Sequence, residues 1–139
     1  MNRTQPLASP RVVFASSQDD RFPPANMLDG NPRTFWSSTG LYPQDLIIEL
    51  DPPATPAKFV VHTAKVKALS VAACPAGALD TATGGGELDP FDTLVAIDLP
   101  ENNAATAIPL KLSRAVSHVR VTLSEGYSDY CAVFSAVLE

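Results

Sequence analysis

The chain has 139 residues, 45% of them hydrophobic, with 10 Lys and Arg against 15 Asp and Glu for a net charge of −5. That length fits one domain, residues 1–139, with a core large enough to do without disulfides or metal. No cluster of Lys and Arg marks a nucleic-acid binder, and no apolar run is long enough for a membrane-spanning helix.

In chain order, the start "MNRTQPLASP" has no apolar central segment, so a cytoplasmic chain is expected rather than a secreted one. Short apolar blocks follow, alternating or continuous, which is the pattern of strands. They are Arg11–Ser17, Asp45–Asp51, Ala57–Thr63, Lys65–Ala73, Thr93–Leu99, Thr106–Leu112, Ser117–Ser124 and Tyr130–Leu138. Alternation is clearest in "HVRVTL", where Val119, Val121 and Leu123 share one face and Arg120 and Thr122 the other. Pro52-Pro53, Gly84-Gly85-Gly86, Asn102-Asn103 and Glu125-Gly126 supply turn chemistry between blocks. Thirteen prolines suit the loops and edges of a β protein better than helices. The expectation is an all-β chain, an antiparallel β-sandwich with jelly-roll or immunoglobulin-like connections.

Two segments invite chemistry. The run Gly84–Gly86 lacks the Gly-Lys-Ser/Thr and the strand-to-helix setting of a phosphate loop, so it reads as a flexible connector. The stretch "ANMLDGNPRTFWSSTG" (Ala25–Gly40) gathers Asn26, Asp29, Asn31 and Thr34 around Gly30 and Pro32, beside the only tryptophan, Trp36. One carboxylate with amide, hydroxyl and carbonyl oxygens is a donor set for Ca²⁺, which takes oxygen ligands at ~2.3–2.6 Å. Zinc is disfavoured, because no His or Cys lies nearby. The same residues also make a plain turn, because Asx side chains bond their own backbone. Trp36, beside Phe35, is expected to pack the core where the loop re-enters the sheet; a sugar-stacking role is the alternative.

Cys74 and Cys131 lie in apolar surroundings and read as two buried thiols. His62 and His118 sit inside strand patterns, neither cysteine has a catalytic setting, and the acids are scattered, so no triad emerges. The uncharged stretch "ALSVAACPAGAL" (Ala68–Leu79) is either core or an apolar interaction surface.

The segment "SSQDDRFPPANMLDGNPRTFWSSTGLYPQDLIIEL" (Ser16–Leu50) resembles the first loop and strands of discoidin-like, galactose-binding-like β-sandwich domains. The Phe-Pro-Pro-x-Asn approach, "DGNPRTFWSSTG", "YPQDLIIEL" and the ending "SDYCAVFSAVLE" resemble more narrowly the intraflagellar transport protein 25 family, also called heat-shock-protein beta-11-like. That resemblance implies a galactose-binding-like jelly roll of eight to nine strands. It implies a structural Ca²⁺ in the first loop, with Asn26, Asp29 and Thr34 at matched positions and the Asn31 carbonyl as a fourth ligand. It also implies a non-enzymatic subunit of the intraflagellar transport B complex in the cytoplasm and the cilium or flagellum. The implied partner is a Rab-like small GTPase, intraflagellar transport protein 27. Where discoidin-like domains place a Glu on the final strand near the ion, this chain has Ser135. The alternative function is a Ca²⁺-dependent carbohydrate-binding module, for which Arg21, Phe22 and Tyr127 are the available groups.

Overall fold

The computed structural model describes residues 10–17, 19–28, 33–39, 42–76, 91–100 and 105–139. Among the described residues, nine strands form two antiparallel sheets. They are β1 (Arg11–Ala15), β2 (Trp36–Ser37), β3 (Gln44–Ala54), β4 (Lys58–Ala64), β5 (Val66–Pro75), β6 (Asp92–Asp98), β7 (Ala105–Pro109), β8 (Val116–Gly126) and β9 (Ala132–Leu138). One sheet has the order β1-β3-β8-β5-β6 and the other β2-β9-β4-β7. A single 3-10 turn, Pro24–Leu28, is the helical element among the described residues.

The period of two in the sequence sets the two faces. Leu46, Ile48 and Leu50 of β3, Leu69 and Val71 of β5, and Val119, Val121 and Leu123 of β8 are all buried. They meet Phe59 and Val61 of β4, Ile108 of β7 and Val133 of β9 in one core cluster. A one-residue slip in any of these strands would turn its apolar set outward, so burial fixes the register. In β3 against β8 that register pairs Leu46 with Val121 and Ile48 with Val119.

The eight expected blocks match eight of the strands. The short β2 was not expected. Its two residues have no alternation to read, and it exists because Trp36 pairs with Val133 of β9. Two expected turns are strand instead. At Pro52-Pro53 the strand continues to Ala54, but the pairing with β8 jumps from Glu49 to Ala54; proline has no N–H to donate, so the ladder skips it. At Glu125-Gly126 the strand β8 runs on to pair Gly126 with Val66. The stretch Ala68–Leu79 is core over its described part, because β5 lies between β8 and β6 with Leu69, Val71, Ala72, Ala73 and Cys74 buried. The Gly84–Gly86 connector and the Asn102-Asn103 turn lie outside the described residues.

The chain crosses from one sheet to the other at Lys65, between β4 and β5. Lys65 has φ 72°, a left-handed conformation that non-glycine residues seldom adopt. Its carbonyl accepts the Tyr127 N–H at 2.8 Å, which ties this crossover to the end of β8.

Candidate ion loop and its surroundings

The loop begins at the 3-10 turn. Its start at Pro24 suits the fixed φ of proline, and Met27 points into the core at 1% exposure. Asn26 is anchored twice: its N–H donates to the Pro23 carbonyl at 3.1 Å, and its side-chain Nδ2 donates to the Phe35 carbonyl at 3.1 Å. Thr34 Oγ1 donates to the Asn26 carbonyl at 3.4 Å. Asn26 and Thr34, the two ends of the expected ligand set, are therefore side by side. Asp29 and Asn31 lie outside the described residues.

This half of the loop fits an oxygen-ligated cation. Two ligands at ~2.3–2.6 Å from one ion, a right angle apart, are roughly 3.3–3.7 Å from each other. The Thr34 hydroxyl and Asn26 carbonyl oxygens are separated by 3.4 Å. The same pair is also a weak hydrogen bond that closes an ordinary turn. Ser135 lies on β9 opposite His62 of β4.

The floor beneath the loop is buried and hydrogen-bonded. Trp36 is fully buried, and its indole Nε1–H donates to the Ser17 carbonyl at 2.9 Å. Trp36 is thus a core residue, not an exposed stacking platform. Ser17 Oγ donates to Gln44 Oε1 at 2.7 Å and accepts the Thr39 N–H at 3.0 Å. Ser38 N–H donates to the Cys131 carbonyl at 2.9 Å, and Ser38 Oγ accepts the Cys131 N–H at 3.0 Å. Buried polar groups of the loop exit are thereby paired, as burial requires.

Four rings that sequence reasoning did not bring together form a contact series running from the loop. Phe22 stacks on Phe35 with centroids 4.6 Å apart, Phe35 meets Phe134 at 5.3 Å, and Phe134 meets His62 at 5.0 Å. Arg21 lies over Phe22, with its guanidinium carbon 5.3 Å from the ring centroid. The residues come from four separate parts of the chain, and no local spacing announces them.

Arg21 also grips Asp19, with Nη2 donating to Oδ2 at 2.8 Å and the backbone N–H to Oδ1 at 2.9 Å. These bonds, the side-chain one foremost, pull the Asp19 carboxyl down from 3.8 to about 2. The pair is at the surface and solvated. Cys74 and Cys131 are both buried free thiols, as expected. Burial pushes the Cys131 thiol up, against the lowering effect of its bonds to Ser38 and Tyr42. Such a thiol is held protonated and unreactive. Burial also raises the Tyr42 phenol above its usual range, and the neighbouring Cys131 adds to this.

His118 is the other histidine with a defined setting. Its Nδ1 is 2.8 Å from Ser117 Oγ and its Nε2 is 3.8 Å from Glu49 Oε2, while Glu49 Oε1 accepts from Arg11 at 2.6 Å. A hydroxyl, an imidazole and a carboxylate thus come together, but Arg11 already engages the carboxylate and Ser117 is the immediate neighbour of His118. The arrangement ties β1, β3 and β8 together. No helix among the described residues is long and apolar enough to cross a membrane.

No protein-family model matches the chain. Curated relatives do. Intraflagellar transport protein 25 of Chlamydomonas reinhardtii is 43% identical over 63 residues, which is 45% of this chain and 33% of that protein. The mouse homologue of that protein is 40% identical over 60 residues, 43% of this chain and 42% of its own length. The human homologue is 54% identical over 37 residues, 27% of this chain and 26% of its own length. The matched stretch therefore spans between about a quarter and two fifths of the length of these relatives.

Solved structures match over nearly the whole chain at low identity. The family 32 carbohydrate-binding module of Clostridium perfringens NanJ, solved in complex with galactose, superposes with a TM-score of 0.76 at 13% identity, covering 93% of this chain and 92% of that one. A second family 32 module, from a family 31 glycoside hydrolase of Clostridium perfringens, gives 0.77 at 12% identity, covering 96% and 95%. A chitosan-binding module of Paenibacillus sp. IK-5 gives 0.76 at 17% identity, covering 98% and 99%. At such identities the likeness establishes the fold alone. This chain is a galactose-binding-like jelly-roll sandwich in fold and, over somewhat less than half its length, similar in sequence to intraflagellar transport protein 25.

Proposed function

We propose that the chain is a non-enzymatic adaptor subunit of the machinery that moves material along cilia or flagella. In this reading it belongs to the intraflagellar transport B complex and binds a Rab-like small GTPase, intraflagellar transport protein 27. The observation that carries the proposal is the 43% identity over 63 residues to intraflagellar transport protein 25, far above the 12–17% identity to the carbohydrate-binding modules of the same fold. A rigid, ladder-paired sandwich with buried thiols suits a scaffold that presents a surface rather than one that moves.

A structural Ca²⁺ in the first loop belongs to the same proposal, held by Asn26, Asp29, Thr34 and the Asn31 carbonyl. The support is the pairing of Asn26 with Thr34 and the 3.4 Å spacing of their oxygens. Such an ion would pin the loop onto the β2 floor and stabilise the fold by about 2.7 kcal/mol at a hundredfold excess over its Kd. Under this reading Asp29→Ala lowers Tm in calcium and leaves it unchanged in chelator. An equal fall in both buffers makes the loop an ordinary turn.

The test of the function is affinity purification of the tagged full chain from ciliated cells of its own organism, with mass spectrometry of what co-elutes. Near-stoichiometric Rab-like GTPase together with larger transport subunits supports the adaptor. A chain that elutes alone, or is retained only on glycans, overturns it in favour of a carbohydrate-binding module.

A further inference from the structure

Strands β6 and β7 are consecutive in the chain, yet each lies at the outer edge of a different sheet. β6 pairs with β5 and β7 with β4, so among the described residues each presents one unpaired edge. On such an edge alternate N–H and C=O groups point away from the sheet, ready to receive another strand. β7 is blunted by Pro109 at its end. β6 has no proline, and Leu94, Val95 and Ile97 are only half-buried in it.

Between these edges runs a groove of two adjoining hollows, about 130 and 310 Å³, that share Leu94 and Lys111. Its floor is apolar, from Ala73, Leu94, Leu112 and Val116. Its rim is not: on the connection from β7 to β8, Lys111 stands exposed where the two hollows meet and Arg114 stands exposed beside the first. Neither has an ion-pair partner among the described residues, and Asp92 is the one acid among the groove's lining residues. In a chain with 15 acids to 10 bases, this rim reverses the overall charge.

We propose that this groove seats an extended segment of a partner protein, added as a strand to the β6 edge, with alternate apolar side chains in the groove and carboxylates against Lys111 and Arg114. The chemistry is that of β-augmentation: main-chain bonds give affinity, and pockets for every second side chain give selectivity. Arg114, beside the first hollow only, sets the direction of the segment, and together with Lys111 it excludes a basic one. A helix satisfies its own backbone groups and would leave the β6 edge unused. The inference stands on the groove alone and does not depend on the transport reading.

The test uses the ¹⁵N-labelled full chain and a blocked synthetic peptide of two aspartates followed by alternating valine and threonine. A second peptide carries two lysines in place of the aspartates. The acidic peptide should shift the amides of Thr93, Val95 and Ile97, and the lysine peptide should bind about tenfold more weakly. The double variant Lys111→Glu with Arg114→Glu should reverse that preference. Both residues are exposed and, among the described residues, without ion-pair partners, so the variant keeps the fold, which its unchanged core amide shifts verify. No binding up to about 1 mM, shifts that map instead to β1, or a preference unmoved by the charge reversal would each overturn the proposal.

Discussion

Asn26 Nδ2 donates to the Phe35 carbonyl at 3.1 Å, and that bond spans the whole of the candidate ion loop. The amide nitrogen faces the return strand, so the other end of the same side chain is the oxygen. Replacing Asn26 with Ala leaves a half-buried carbonyl unpaired and should cost about 1–2 kcal/mol. Urea melts in chelator measure that cost. Ala keeps the Asn26 main-chain carbonyl that lies 3.4 Å from Thr34 Oγ1, so the deficit grows on adding calcium only if the Asn26 side-chain oxygen is itself a ligand. An unchanged deficit in both buffers assigns the Asn26 side chain a purely structural bond.

Trp36 combines complete burial with a paired indole N–H. Trp36→Phe removes the donor and leaves the Ser17 carbonyl without it, at a cost of about 1–3 kcal/mol. Trp36→Ala also opens a cavity and should cost about 3–5 kcal/mol. Because Trp36 is the only tryptophan, its emission reports on this site directly. The native spectrum should be that of a buried indole and should shift to longer wavelength only with global unfolding.

Gly126 ends β8 against Tyr42. A Cβ built there falls on the Tyr42 ring and hydroxyl, and lies 2.7 Å from the Lys65 carbonyl oxygen. Tyr42 cannot simply swing away, because its hydroxyl donates to the Tyr130 carbonyl at 3.0 Å. Gly126→Ala should therefore destabilise the chain by about 1–3 kcal/mol. The additional variant Tyr42→Phe, which removes the hydroxyl, should recover part of that loss in a thermal melt.

Asp19 and Arg21 give a pH signature. The Arg21 bonds hold the Asp19 carboxyl near 2 instead of 3.8. A depressed carboxylate contributes its stabilisation in full above the unfolded value, and the contribution fades as pH falls from 3.8 towards 2. The pair is at the surface, where solvent and salt screen it, so the effect on global stability is small. Carbon-detected NMR titration should place Asp19 near 2, and Arg21→Ala should return it towards 3.8 with little change in the urea midpoint.

Much of the fold was legible because burial on one face writes itself into alternation. Val119, Val121 and Leu123 of β8 and Leu46, Ile48 and Leu50 of β3 are buried as their spacing requires. Three features were not legible, for different reasons. β2 is two residues long and is made by its partner strand, not by its own pattern. The passage through Pro52-Pro53 reads as a turn locally, but the neighbouring strand resumes pairing beyond it. The ring series from Phe22 through Phe35 and Phe134 to His62 joins residues far apart in sequence, so only the folded chain assembles it. In the candidate loop, Asn26 and Thr34 lie side by side, because short polar side chains around a forced turn have few other places to go.

The proposal that this sandwich binds a Rab-like GTPase in ciliary transport can be tested directly. Its most direct test is co-expression of the full chain with the Rab-like GTPase of the same organism, followed by gel filtration at sub-micromolar concentration. One peak containing both proteins in equal amounts, whether or not galactose is present, is expected. Separate elution of the two proteins, with this chain retarded on a galactose matrix in calcium and released by chelator, would contradict it.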